Sequence, residues 1–256
     1  MLELDTCYTL SNVPYITNDA LDDFAEKIVH DFAPERLRTP GVLDTDSFME
    51  YYLRLTLYYY RICHNRKVQG MTAFNDGVVE VLDEKSGTPF DMQVATGAVI
   101  IDPTLLLQRN LHRLRFTMLH EGSHWLIHRK AFAMDNPFGP AGIYANQFLA
   151  AKEGRGDYLR NQKERNDIES MERQADFLSS AILMPRPALR EAFKAFFRFY
   201  DEKPRRIIRG KSSMDDAFAE QLPQYISKIF SVSPKAALIR LEKLTGIVDR
   251  RWGYYC

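Results

Sequence analysis

Three side chains within five residues, His120, Glu121 and His124, follow the pattern H-E-x-x-H. On a helix, residues four apart lie on one face about 6 Å from each other, so both imidazoles can reach a single ion. Glu121, beside His120, is placed to take a proton from a water activated by that ion. Residue types and spacing therefore point to metal-assisted hydrolysis. A pattern this short also arises by chance. A genuine site needs a helix beneath it, apolar residues that exclude water, and a third protein ligand elsewhere in the chain.

The helix is expected from about Leu105 to His128, because Pro103 and Thr104 can open it and no proline follows until Pro137. Gly122 is its one weak position. Phe116, Met118, Leu119, Trp125, Leu126 and Ile127 point in every direction, so the helix should be covered on all sides. Two histidines and a carboxylate inside such a sleeve are costly unless each is satisfied, and a metal satisfies the histidines. The plainer alternative, two core histidines bonded to backbone, is the less favoured one. His128 is no ligand: eight residues past His120 is about 12 Å along a continuous helix at about 1.5 Å per residue. It belongs near the site or on the surface.

The third ligand is sought in the segment from Ile168 to Leu178. Ile168, Met171, Ala175, Leu178 and Ile182 recur at spacings of three and four and draw one apolar stripe. Glu169, Glu172 and Asp176 fall together on a neighbouring face, where like charges repel unless a cation or a histidine lies among them. Glu172 is the expected ligand and Glu169 its competitor. Asp176, one turn on, is expected to accept an imidazole N–H from His120 or His124 and so orient it. Three carboxylates on a solvated helix face would look the same without the upstream motif.

These motifs resemble the ImmA/IrrE family of zinc metallopeptidases. The resemblance rests on His120-Glu121-x-x-His124 with its lead-in Arg115-Phe116-Thr117, on Glu172-x-x-Ala175-Asp176-Phe177, and on Ala181-Ile182-Leu183-Met184-Pro185. It covers about residues 95 to 190; Gly122-Ser123 and Leu178-Ser179 depart from the usual residues without removing a ligand or the base. It implies an α+β, zincin-like domain with a small, mostly antiparallel sheet over an active-site helix. It also implies Zn2+ on His120, His124 and Glu172 with Glu121 as general base. Tyr144 and Tyr158, between the two motif helices, are candidates for steadying the oxyanion. The family suggests a regulatory protein substrate such as a helix-turn-helix repressor.

Elsewhere the chain offers frame rather than chemistry. Its 256 residues, 45% hydrophobic, can bury a large core. A zincin-like domain over residues 1–200 and a helical appendage over 201–256 are expected. No run suits a membrane helix or a signal peptide, which points to the cytoplasm. Cys7, Cys63 and Cys256 are scattered and suit reduced thiols. Lys+Arg and Asp+Glu both number 34, so DNA binding would need a local patch.

A first helix is expected from Asn18 to Asp31 with Asn18 as its cap, and a short one near Ser47. Strands are expected at 55–62, 68–74, 78–82 and 95–101, with Asp76-Gly77 as the turn of a hairpin joining the second and third. Residues 131–165 read as a long loop. A helix carrying Leu189, Phe193, Phe196 and Phe197 comes next, then a basic connector over 203–211. Tyr225–Phe230, a turn at 231–233, and a helix from Pro234 to Leu244 capped by Ser233 resemble a helix-turn-helix in outline. Lys235, Arg240 and Lys243 are a thin footing for DNA, and packing is the favoured role. Two functions are thus in play: a zinc-dependent, site-specific endopeptidase, and a non-catalytic regulator of the same fold that acts by contact with protein or DNA. The presence of Glu121, which a pure binder does not need, favours hydrolysis.

Overall fold

The computed structural model describes residues 2, 4–62, 68–133, 162–244 and 246–249. Tyr144 and Tyr158, most of the expected 131–165 loop, Cys63 and Cys256 lie outside them. Contacts gather the chain into two compact units, one of Met1–Phe24 with Asp44–Ser179 and one of Ala25–Leu43 with Ser180–Cys256.

The helices begin with α1 (Asn18–Phe32), α2 (Glu35–Arg38) and α3 (Thr45–Ser47), the last running into a π-helical turn at Phe48–Tyr52. Thr17, not Asn18, caps α1. Its hydroxyl accepts from the Ala20 N–H and its carbonyl from the Leu21 N–H, so the cap falls one residue earlier than expected. Five strands follow: β1 (Thr56–Tyr59), β2 (Gly70–Thr72), β3 (Gly77–Leu82), β4 (Pro89–Val94) and β5 (Ala98–Ile101). They form a three-stranded sheet in the order β1-β5-β2 and a separate β3-β4 pair. β2–β5 and β3–β4 are antiparallel, whereas β1–β5 is parallel.

The expected hairpin between β2 and β3 does not form. Asp76 instead accepts from the Thr96 N–H at 2.7 Å and the Thr96 hydroxyl at 2.8 Å, and β2 pairs with β5. Asp-Gly is a local signal, and here a bond to a residue twenty positions on outweighs it. The tight turn lies between β3 and the unanticipated β4. There the Asp83 carboxylate accepts from the Lys85 and Ser86 N–H groups, and Gly87 takes φ +70°, which favours glycine. Met71, Ala73, Val79, Val81, Val94, Ala98 and Ile100 from both groups of strands close into one apolar cluster.

The motif helix, α4 (Leu111–Ile127), starts later than expected. Asp102 caps a 3-10 turn at Pro103–Leu106 by accepting from the Thr104 N–H, and Leu107, extended at ψ 136°, ends that turn before α4 begins. Leu114, Met118, Leu119, Trp125 and Ile127 are buried while Phe116 and Leu126 are half-buried, so the apolar sleeve is nearly complete. Gly122 is there for closeness. A Cβ on it would stand 2.8 Å from Met49 Sδ and 2.9 Å from Leu53 Cδ1, the side chains at and after the π turn. The next helix, α5 (Gln162–Leu183), buries Ile168, Met171, Ala175, Leu178 and Ile182, the stripe read from the sequence.

The second unit carries α6 (Arg186–Phe199), β6 (Ile207–Arg209), α7 (Ser213–Phe230), α8 (Pro234–Lys243) and β7 (Ile247–Asp249), with β6 and β7 parallel. The Tyr225–Phe230 helix of the sequence reading is only the end of the longer α7. Ser233 caps α8 through the Ala236 N–H, as expected. Arg240 is not a surface cation. It is 1% exposed and its Nε donates to the Met184 carbonyl, so one of the three basic residues of α8 is spent on packing. The basic connector likewise contains β6, and Arg205 pairs with the buried Asp215 at 2.5 Å. The architecture is α+β, and no helix among the described residues is long and apolar enough to cross a membrane.

Ile100 sits on the central strand β5 and is 1% exposed. Ile100→Ala should cost about 2–5 kcal/mol, the usual range for such a cavity, seen as a lowered urea midpoint at unchanged slope.

Candidate metal centre and catalytic base

Helical periodicity puts His120 and His124 on one face of α4, and the structure turns both Nε2 atoms to one point, 3.0 Å apart. The oxygens of Glu172, from α5, stand 3.5 Å from each. These three side chains form the one group of metal-ligating type and spacing among the described residues. Glu169 is exposed and is not among them. Of the two glutamates, it is Glu172 that the structure brings to the two histidines.

Hydrogen bonds on the far side of each ring hold the arrangement. His120 Nδ1 lies 2.9 Å from Asp176 Oδ1; a carboxylate only accepts, so this nitrogen carries a proton, and it is Nε2 that either holds a second proton or offers its lone pair to a metal. Asp176 thus pairs with His120 rather than with His124. Its side chain is 58% exposed, so it steers the ring more than it stabilises the fold. On His124 the far nitrogen faces His128, with Nδ1 atoms 2.9 Å apart. His128 is wholly buried, which removes the surface alternative. α4 ends at Ile127, and His128 is its C-cap.

This geometry suits a divalent ion. Two nitrogens each about 2.0–2.1 Å from a tetrahedral centre stand about 3.3 Å apart, close to the spacing found here. Two imidazole nitrogens and a carboxylate turned to one point need a cation between them, either a metal ion or a proton. The same closeness shifts the titration of the groups. Burial by itself lowers the His120 pKa, but the hydrogen bonds to Asp176 and Glu172 and the nearby carboxylates overcome it and raise it to about 10. Burial raises the Glu172 pKa, yet the two imidazoles reverse this and hold it far below the usual carboxylate range. Burial, with His124 beside it, pushes His128 well down and keeps it neutral.

Glu121 stands apart from the three donors. It is 6% exposed, and Thr72 on β2 donates its hydroxyl to Oε2 at 2.8 Å. A hydrogen bond to a charged group contributes about 1.5–3 kcal/mol, enough to hold a buried carboxylate in one rotamer. Gly70, two residues earlier, leaves the space: a Cβ there would meet Glu121 Oε1 at 2.7 Å and Thr117 Cγ2 at 2.7 Å. Neither residue was singled out from the sequence. A glycine in a strand pattern does signal close approach of another group, but nothing local says that the group is Glu121.

In the metal-free chain a proton on His120 Nε2 stands in for the cation. A folded pKa raised from 6.5 to about 10 means that the stability it contributes is complete below 6.5 and is lost as pH rises through about 10. Chelator-treated protein should therefore melt at progressively lower temperature between those values, and His120→Asn should remove that component of the fall. Thermal melts at stepped pH provide the check.

Among curated proteins none matches the chain. The pattern of the IrrE N-terminal-like domain family, Peptidase_M78, matches residues 83–242. That span is more than half of the chain and includes α4, α5 and all the residues of the metal group and the base. The chain therefore belongs to the IrrE N-terminal-like domain family, with a peptidase-type domain.

Proposed function

We propose that the protein is a zinc-dependent endopeptidase of the cytoplasm that cleaves a regulatory protein, a helix-turn-helix repressor being the expected kind of substrate. The observation that carries this reading is the convergence of His120 Nε2, His124 Nε2 and a Glu172 carboxylate beside a separately held Glu121. Histidine and carboxylate donors suit zinc, and three protein ligands leave a fourth position for water or substrate, as hydrolysis requires and a structural site does not. Zinc bound there supplies Lewis acidity and brings the pKa of a water toward about 7.

The remaining work falls to the chain's own residues. Glu121 takes the proton of the attacking water and delivers it to the leaving amine. Thr72 and the space at Gly70 keep its carboxylate where that transfer needs it. β2 is an edge of its sheet, paired only with β5 among the described strands. DNA binding through the second unit has less support, since Arg240 is buried.

Protein purified without added metal should hold about one zinc per chain, kept by Glu169→Ala and lost by Glu172→Ala, as read by elemental analysis. Glu121→Gln should keep the zinc and stop cleavage of a peptide library, with a loss of at least about a hundredfold for a missing general base. Undiminished cleavage by that variant would end the reading. Gly70→Ala should also keep the zinc, and should lower kcat about tenfold or more by displacing Glu121; an unchanged kcat would show that Gly70 is not there for the base.

A further inference from the structure

The buried pair His128 and Gln174 has no place in the hydrolytic chemistry just described, yet it lies directly behind His124. Gln174, 2% exposed on α5, donates from Nε2 to the Pro14 carbonyl at 2.8 Å. That contact settles which way the amide points, so its oxygen faces His128 Nε2 at 2.9 Å. An amide oxygen only accepts, so His128 Nε2 carries a proton. A neutral imidazole then has a bare Nδ1, and it faces His124 Nδ1 at 2.9 Å. Two bare nitrogens do not approach so closely, so the proton between them belongs to His124.

We infer that His128 and Gln174 are positioning residues that fix the tautomer of His124, with the Pro14 carbonyl setting the direction of the relay. Proton placement then runs from Pro14 to Gln174 to His128 to His124, and it leaves the His124 Nε2 lone pair aimed at the point shared with His120 and Glu172. The two metal-facing histidines are thereby oriented by unlike means. His120 is backed by the exposed carboxylate of Asp176, and His124 by a neutral ring inside the protein. The buried relay adds no negative charge behind His124, so the net charge of the centre stays that of Glu172 and its immediate neighbours. The segment before α1 also becomes part of the site through the Pro14 carbonyl. The relay rests on the reading of the three donors as a metal site.

The test uses the full chain, stripped of metal, with two measurements: imidazole tautomers from long-range proton–nitrogen correlation spectra, and Zn2+ affinity by competition with a chromophoric chelator. In the unsubstituted protein the His124 proton is expected on Nδ1. Gln174→Leu and His128→Leu should each give mixed His124 tautomers and weaken Zn2+ binding about tenfold or more, the usual effect of losing such a partner. His128→Asn, which can place an oxygen where Nδ1 stood, should recover most of the affinity. A His124 proton found on Nε2 in the unsubstituted chain would overturn the inference, as would unchanged Zn2+ affinity in the two leucine variants. Should His128→Leu fail to fold, Gln174→Leu and the spectrum of the unsubstituted chain still decide. Absence of Zn2+ binding with the His124 proton on Nδ1 would sink the metal reading while upholding the proton relay.

Discussion

Two imidazole Nε2 atoms and a carboxylate are brought within 3.0–3.5 Å of one another, and the first unit holds them there. Left to themselves, His120 and His124 would turn their rings apart or into solvent. They do not, because each ring is held from behind, by Asp176 on one side and by His128 on the other. Stability is thus given up locally for an arrangement that only a cation relaxes. The raised pKa of His120 has the same origin: without a metal, a proton is the cheapest cation available to the group.

The same constraint explains features of the scaffold that are poor choices for stability alone. A glycine inside α4 costs about 1 kcal/mol of helix propensity, yet Gly122 lets Met49 and Leu53 come within contact of the helix backbone. Gly70 weakens a short edge strand, yet any larger residue would meet the Glu121 carboxylate. Thr72 is wholly buried with a polar hydroxyl, and that hydroxyl serves Glu121. Each looks like a flaw in its own element and becomes intelligible only against α4. The three candidate metal donors come from two helices, and the Glu121 carboxylate is held from the sheet. Positions of ligands and base are therefore set by different parts of the fold.

Much of this was legible in the sequence where the relevant geometry is local. His120, Glu121 and His124 are linked by one helical turn, and the stripe from Ile168 to Ile182 fixes which face of α5 carries Glu172 and Asp176. The choice between Glu172 and Glu169 needed the crossing of two helices, which periodicity does not give. The hairpin expected at Asp76-Gly77 shows the opposite failure. Its local signal was sound, but Asp76 uses its carboxylate on Thr96 and the pairing goes elsewhere. The start of α4 was misplaced because Pro103 opens a helix of the 3-10 kind, which Leu107 interrupts. Arg240 was counted as surface charge from its type alone, whereas it donates to the Met184 carbonyl from a buried position.

His128 sits between these cases. Its spacing from His124 repeats the motif's own interval, but the sequence left open whether it lies near the site or on the surface. Distance along a continuous helix speaks against it as a ligand in common with His120. What the sequence could not supply was Gln174, from another helix, or Pro14, from the segment before α1. A histidine alone at that position is ambiguous, because either nitrogen can donate. It becomes definite only when an acceptor is fixed on its far side, and that acceptor is definite only because a carbonyl fixes the amide. Directionality is passed along the chain of bonds and originates at a group that cannot change its role. A backbone carbonyl is such a group, having no proton to lose or move, which makes Pro14 a better origin for the relay than any titratable side chain would be.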